Sequence, residues 1–143
     1  MRSKAPLALM EQLIMVLVFA LAAALCLRAF AAADSLSREK ELRDRALAEG
    51  QSMAELAKSA SGDLTLAAGL YGGTWDGERW VCFFDGAWNQ TGAEEDAACR
   101  LEVVPQPGGN GLGEARVSAW APGEEEPLFS FPVAWQEEVT GLG

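Results

Sequence analysis

Residues 12–27 read QLIMVLVFALAAALCL and contain no charged side chain. Extending this run back to Pro6 gives about twenty-two positions, in which only Glu11 and Gln12 are strongly polar. An α-helix rises about 1.5 Å per residue, so a helix of this length crosses the roughly 30 Å hydrocarbon core of a bilayer. We therefore expect residues 7–33 to form a transmembrane helix.

The residues before the run predict its orientation. Arg2 and Lys4 lie in a short basic leader, residues 1–6, and basic residues are enriched on the cytoplasmic side of membrane spans. The amino terminus is therefore predicted to be cytoplasmic and the carboxy-terminal part of the chain extracytoplasmic. The expected protein is a single-pass protein of the cell membrane.

Three other interpretations fit parts of the same run. A cleaved secretory signal peptide has a similar basic start, and the alanines at 31–33 offer a cleavage site, but the apolar run is long for a signal. A lipoprotein signal ending at Cys26 is disfavoured because Leu25 is bulkier than the residue usually found there. A buried helix of a soluble protein needs a polar face, which residues 13–27 lack. A retained membrane span is the favoured interpretation.

The helix is predicted to continue beyond the membrane. Residues 34–60 contain no proline and one glycine, Gly50, together with many good helix formers. Apolar residues recur here at spacings typical of one face of a helix, at Leu42, Ala46, Met53, Ala57, Ala60 and Leu64. We therefore expect residues 34–62 to form an amphipathic helix that continues the span, with Gly62 as its cap.

The remaining part, residues 63–143, is acidic and has the pattern of a β-sheet. Residues 59–143 contain fourteen Asp or Glu and three Arg, a net charge of −11, whereas residues 1–58 sum to +1, which gives −10 for the whole chain. Short segments rich in aromatic and β-prone residues alternate with turns that contain Gly or Pro, which predicts antiparallel strands. The predicted strands are 78–85, 87–91 after the hairpin signal Asp85-Gly86, 99–104, 114–121 and 128–136, with Pro132 placing the last at an edge.

A sheet of this size needs a second layer. In the last predicted strand, Phe129, Phe131, Val133 and Trp135 share one face, and about eighty residues cannot bury such a face alone. The amphipathic half of the helix is the expected cover. The predicted fold class is α+β, with a long N-terminal helix, transmembrane in its first half and amphipathic in its second, packed on a small antiparallel β-sheet.

Cysteine positions leave two alternatives open. Cys82 and Cys99 fall on consecutive predicted strands in the extracytoplasmic part, where disulfides are permitted. A bridge between them would close a loop and contribute about 3 kcal/mol to stability. Two separate buried thiols are the alternative.

The amino-acid composition excludes several classes of function. The chain contains no histidine, which excludes a Ser-His or Cys-His catalytic pair and histidine-ligated metals. Its acidity argues against nucleic-acid binding. The carboxylates at 94–96 and 124–126 lack the alternating spacing of a calcium loop. We therefore expect no enzymatic activity, no cofactor and no metal.

The start of the apolar helix carries a family resemblance. Residues 7–17, LALMEQLIMVL, the basic leader before them and the helix-plus-sheet architecture resemble type IV pilins and the pseudopilins of type II secretion and competence systems. In that family a short basic leader ends in Gly, a hydrophobic helix follows, and the fifth residue of the helix is Glu. Alignment on Glu11 makes Leu7 the first mature residue and puts Pro6 where the family has Gly. The resemblance implies cleavage between Pro6 and Leu7 by a prepilin peptidase.

The same resemblance implies a role for Glu11, which in the family pairs with the amino terminus of a neighbouring subunit. A carboxylate at the edge of lipid is tolerated when it meets such a cation. The alternative is that the Glu11 side chain only extends to the membrane interface. The expected function is that of a minor structural subunit of a type IV pilus-like or pseudopilus filament, which assembles with other pilin-like subunits through its N-terminal helix. The alternative is a single-pass, membrane-anchored extracellular binding module that does not enter a filament.

Overall fold

The computed structural model of the chain describes residues 4–137, and within that range it contains two α-helices and six strands. The helices are α1 (Ala5–Ser59) and α2 (Leu64–Tyr71). The strands are β1 (Thr74–Trp75), β2 (Trp80–Phe84), β3 (Gln90–Thr91), β4 (Cys99–Gln106), β5 (Leu112–Trp120) and β6 (Phe129–Gln136). Contacts divide the chain between Glu41 and Leu42 into two compact units.

The first unit contains the apolar start of α1. Every residue that the structure describes up to Glu41 is exposed, including large apolar side chains such as Phe19 and Phe30. By length and composition this helix could cross a membrane, as the sequence predicts. An apolar surface this extensive is unfavourable in water, because each exposed Leu or Phe forgoes about 1.5–3 kcal/mol of burial.

The second unit begins with the rest of α1, which packs on the sheet. The buried residues of α1 form a single stripe: Ala46, Gly50, Met53, Ala54 and Ala57. Because all of these residues except Met53 are alanine or glycine, the helix can lie close to the inner face of the sheet. Ala46, Met53 and Ala57 belong to the stripe that the sequence predicted, whereas Gly50 and Ala54 were not expected in it. The α+β fold class is confirmed.

The end of α1 is set by two residues in the left-handed region. Ser61 has φ 52° and Gly62 has φ 82°, and the Gly62 N–H donates to the Ala57 carbonyl at 2.9 Å. Asp63 then caps a new helix, since its carboxylate accepts from the Leu66 N–H at 3.0 Å. Helix α2 is not expected from the sequence pattern, because Leu64 also fits the apolar stripe of the long helix.

All strand pairs are antiparallel, and the order across the sheet is β1-β2-β4-β5-β6, with β3 pairing to β2 outside this path. β1 covers one end of the free edge of β2 and β3 covers the other end. β6 forms the opposite edge, where Pro132 lies across from Arg116. The predicted edge position of this strand is therefore correct, and a proline there hinders the addition of a further strand.

The hairpin predicted at Asp85-Gly86 has a longer loop than expected. Phe84 pairs with Gln90, so five residues connect the two strands and β3 is shorter than predicted. Asp85 closes this loop, because its carboxylate accepts from the Ala87 and Asn89 N–H groups at 2.9 Å. The carboxylate and a left-handed Trp88 (φ 63°) favour this conformation over a two-residue turn.

The core of the second unit lies between α1, α2 and the inner face of the sheet. Alternate residues of the long strands point into it, and the sheet contributes Trp80, Cys82, Phe84, Cys99, Leu101, Val103, Ala115, Val117, Ala119 and Val133. α2 is joined to α1 by the Tyr71 hydroxyl, which donates to the Glu49 carboxylate. The helices therefore cover the inner face, with Phe129, Phe131 and Trp135 of β6 only partly buried at its edge.

Candidate functional site

The proposed cleavage point lies in the first turn of α1. Pro6 is the second residue of the helix, a position at which the missing N–H of proline costs no helical hydrogen bond. Leu7 follows it and is 71% exposed. The Pro6–Leu7 bond is thus at the helix end that frays most easily, within reach of solvent.

Glu11 lies within the apolar surface of the first unit. Its neighbours one turn away along α1 are Leu7, Ala8, Ile14 and Met15, none of which carries a charge. Within residues 4–137, no cation forms an ion pair with Glu11.

The two cysteines of the sheet are free, buried thiols. Cys82 pairs with Leu101 and Cys99 with Phe84, so the cysteines occupy diagonal positions on one face of β2 and β4. Diagonal neighbours are about 7–8 Å apart at Cα, beyond the usual span of a disulfide. The structure contains no bond between Cys82 and Cys99, and the bridge considered from the sequence stays a prediction.

Burial keeps both thiols protonated. The apolar surroundings raise the pKa of Cys82 to about 12 and that of Cys99 to about 11. The Cys82 thiol also donates to the Gly72 carbonyl at 3.4 Å. Because the thiolate is the reactive form, these are structural cysteines.

A polar network crosses the outer face of the sheet. Glu102 of β4 is 7% exposed at its side chain and pairs with the guanidinium of Arg79 at 3.2 Å. Arg79 also pairs with Asp76 at 3.5 Å. Two backbone N–H groups, those of Glu78 and Arg79, donate to the Asp76 carboxylate at 2.8 Å and lower the pKa of Asp76. Arg79, which pairs with the buried carboxylate of Glu102, is thus itself held in place by Asp76.

Arg100 is the second cation of this network. Its guanidinium carbon lies 4.8 Å from the centre of the Trp120 ring, a cation–π distance. Its Nε lies 3.2 Å from Glu102 Oε1, yet this N–H is not aligned on any acceptor among residues 4–137 and makes no hydrogen bond there. Its Nη1 reaches Glu94 at 3.5 Å. Two of the three arginines in the acidic part therefore converge on one carboxylate.

Two cavities meet at Arg100. One, of about 280 Å³, is lined by Arg100, Trp120, Pro122 and Glu124 among others. The other, of about 250 Å³, lies on the side of Arg79 and Glu102. The two share Phe83, Glu94 and Arg100. This outer-face cleft combines a guanidinium, aromatic rings and exposed carboxylates.

No family model, characterised protein or solved structure matches this chain. The resemblance to type IV pilins and pseudopilins therefore rests on residues 7–17 and on the helix-plus-sheet architecture. Among residues 4–137, no group of three or more Asp, Glu or Cys side chains is placed to hold a metal ion.

The sequence-predicted residues do not form one site. Pro6, Leu7 and Glu11 lie on the first unit, and Cys82 and Cys99 lie in the core of the second. The outer-face cleft was missed altogether. No specific signal in the sequence points to it, because Arg79 and Arg100 are 21 residues apart and meet at Glu102 only in the folded sheet.

Proposed function

We propose that this protein is a membrane-anchored minor subunit of a type IV pilus-like or pseudopilus filament, with its amino terminus in the cytoplasm and its acidic sheet outside. The observation that carries the proposal is Glu11, a single carboxylate on an exposed apolar helix that has no cation of its own within one turn. A neighbouring subunit with a free amino group is the partner that would neutralise it.

Two further features support assembly through the helix. The apolar surface of α1 is exposed on all sides, so it can contact lipid and other helices at once. Ala20 and Ala24 are four residues apart on one face, and small residues at this spacing let helices approach closely in a bilayer. The half of α1 that carries the sheet is already packed, which leaves the first half for intermolecular contacts.

The test is to co-express the full chain with a prepilin peptidase and a filament assembly system. If Pro6 is accepted, mass spectrometry finds an amino terminus at Leu7 only when the peptidase is present. If Pro6 slows cleavage, Pro6→Gly restores it, because glycine leaves the bond extended and unhindered. An amino terminus at Met1 in both the original chain and Pro6→Gly contradicts a processed subunit.

The assembly role is tested by a matched pair of substitutions. Glu11→Gln removes the charge in the apolar segment and is expected to reduce incorporation into filaments at least tenfold. Glu41→Gln makes the same change on the exposed helix outside that segment and should leave incorporation unchanged. Equal incorporation of both variants contradicts the proposed pairing of Glu11.

A second candidate function is a membrane-anchored extracellular binding module. The outer-face cleft around Arg100 favours it, because two adjoining cavities with aromatic walls are typical of a ligand site rather than of a plain sheet surface. Under this function Glu11→Gln leaves ligand binding unchanged, which separates the two candidates.

A further inference from the structure

Arg100 stands on the outer face of the sheet with unused hydrogen-bonding capacity. A guanidinium has five N–H donors. Within residues 4–137, the one hydrogen bond of this group runs from Nη1 to Glu94 at 3.5 Å, the long limit for such a bond, while the buried Nε–H has none. Arg100 lines both cavities.

The guanidinium is nevertheless held in place. The Trp120 ring supports one face of it at 4.8 Å, and Glu102 provides a fixed negative charge 3.2 Å from Nε. Because Glu102 is buried and also paired with Arg79, it cannot turn away to solvent. A planar donor fork fixed against an aromatic ring is the arrangement that suits bidentate recognition of a carboxylate.

Glu94 already pairs with the Arg100 guanidinium. Its side chain is 71% exposed and its carboxylate reaches Arg100 at 3.5 Å, so the pair contributes little to stability. It lies in a single 3-10 turn, Glu94–Asp96, that has no side-chain cap. An incoming carboxylate can therefore replace Glu94 at small cost.

We infer that the outer-face cleft binds a small monocarboxylate with an apolar body, whose carboxylate takes the place of Glu94 on Arg100. The apolar body then lies against Phe83, Trp120 and Pro122, which line the cavity of about 280 Å³. A cavity of this volume is at the small end for ligand pockets, so it suits a ligand of one ring or a short chain. This inference concerns the binding-module candidate and is independent of filament assembly.

The surrounding charge selects a monoanion. Without Glu94, the two arginines are balanced by Asp76 and Glu102, so one added carboxylate restores the present charge of the network. A second negative charge would meet Glu94 and Glu124 at the same cavity and the −11 of residues 59–143. Dicarboxylates and phosphates are therefore expected to bind more weakly than a monocarboxylate of the same size.

The test uses the full chain in micelles of a neutral detergent, with 3-phenylpropionate as the probe. Nuclear magnetic resonance titrations should show a saturable shift of the Trp120 indole N–H and the Arg100 Nε–H. Phenethylamine has a similar body with a positive charge and should shift neither. No saturable shift with 3-phenylpropionate, or equal shifts with both probes, overturns the inference.

Two substitutions test the roles of the side chains. Arg100→Lys keeps the charge beside Glu102 but loses the donor fork, and should weaken binding about tenfold. Glu94→Gln removes the internal competitor and should tighten binding about two- to five-fold, because exposed ion pairs of this kind have that strength.

The matched controls lie close by in the same unit. Glu95→Gln makes the same change one residue away from Glu94, and Arg116→Lys makes the same change on β5; both should leave the affinity unchanged. If Glu94→Gln binds no tighter than Glu95→Gln, the replacement of Glu94 is contradicted. Glu11→Gln should bind 3-phenylpropionate with unchanged affinity. A failure of ligand binding is therefore distinguished from a failure of filament assembly.

Discussion

Gly50 of α1 lies directly against the ring of Phe129 of β6. A Cβ added at Gly50 would be 3.0 Å from Phe129 Cζ and 3.4 Å from Leu101 Cδ2. A glycine in the middle of a helix costs about 1 kcal/mol relative to alanine, so its presence here reflects the close approach of helix and sheet. The contact explains how a stripe of mostly small residues can cover a sheet with a large aromatic edge.

Substituting this glycine should therefore destabilise the second unit. Gly50→Ala gains about 1 kcal/mol of helix propensity but overpacks the core at a cost of about 1–3 kcal/mol, so we expect a net loss of about 1 kcal/mol. Gly69 of α2 has no atom within 4 Å of an added Cβ, and Gly69→Ala should raise stability. Tryptophan fluorescence in denaturant measures both. A gain in stability for Gly50→Ala would show that Phe129 moves aside freely.

The bond between Tyr71 and Glu49 should stabilise the packing of α2. A hydrogen bond to a charged group contributes about 1.5–3 kcal/mol, so Tyr71→Phe should lower the free energy of unfolding by that amount. Glu49→Gln completes a double-mutant cycle, which isolates the pair from the rest of the packing. Additive effects of the two substitutions would contradict an energetic coupling between the residues.

Tyr71 is the only tyrosine of the chain, so its titration can be followed by ultraviolet absorbance. The pKa of Tyr71 lies well above its ordinary value, mainly because the hydroxyl is partly buried and also because the Glu49 carboxylate is next to it. Tyrosinate should therefore appear in the folded protein at a higher pH than in the unfolded chain. Glu49→Gln should lower the midpoint, and an unchanged midpoint would assign the whole shift to burial.

The buried thiols predict a loss of stability in alkali. An unfolded cysteine loses its proton near pH 9, whereas Cys99 and Cys82 keep theirs to about 11 and 12. Above pH 9 the unfolded chain thus binds fewer protons than the folded one, and stability falls by at most about 1.4 kcal/mol per pH unit for each thiol. The contribution is complete below pH 9 and disappears as pH rises through the folded pKa values.

Denaturant unfolding between pH 7 and 11 measures this slope. Cys99→Ala should flatten it relative to the original chain, whereas Cys26→Ala, which removes a thiol outside the core, should leave it unchanged. Free thiols also predict that Cys82 and Cys99 are alkylated only after unfolding. A non-reduced protein lighter by two hydrogens, with a flat pH profile, would show that the bridge forms instead.

The predicted orientation can be tested by labelling in intact cells. In a chain without its three natural cysteines, Ser37→Cys should react with a membrane-impermeant maleimide added from outside. Ser3→Cys, in cells without a prepilin peptidase so that the leader is kept, should react only after the membrane is opened, since it lies in the basic leader. Labelling of the two positions in the opposite order would reverse the orientation.

Much of the fold follows from local pattern. The run at 12–27 predicts an apolar helix because its length and lack of charge depend on no other part of the chain. The stripe through Ala46, Met53 and Ala57 predicts a helix with one packed face, because helical periodicity is local. Alternation in 114–121 and 128–136 likewise predicted strands that the structure places at nearly the same residues.

Only the tertiary structure brought Arg79 and Arg100 to the same carboxylate, Glu102, and Arg100 to the Trp120 ring. Arg100 lies on β4, and its partners are Glu94, Glu102 and Trp120, so the cleft depends on which residues of neighbouring strands and loops come together in the folded sheet. The pairing of β2 with β4 likewise places Cys82 and Cys99 at diagonal positions. The sequence by itself determined the apolar helix with Glu11 in it and the presence of a small sheet, because both arise from periodicity along the chain. The outer-face cleft and the close contact of Gly50 with Phe129 arise from distances between strands and helix, which exist only once the chain has folded.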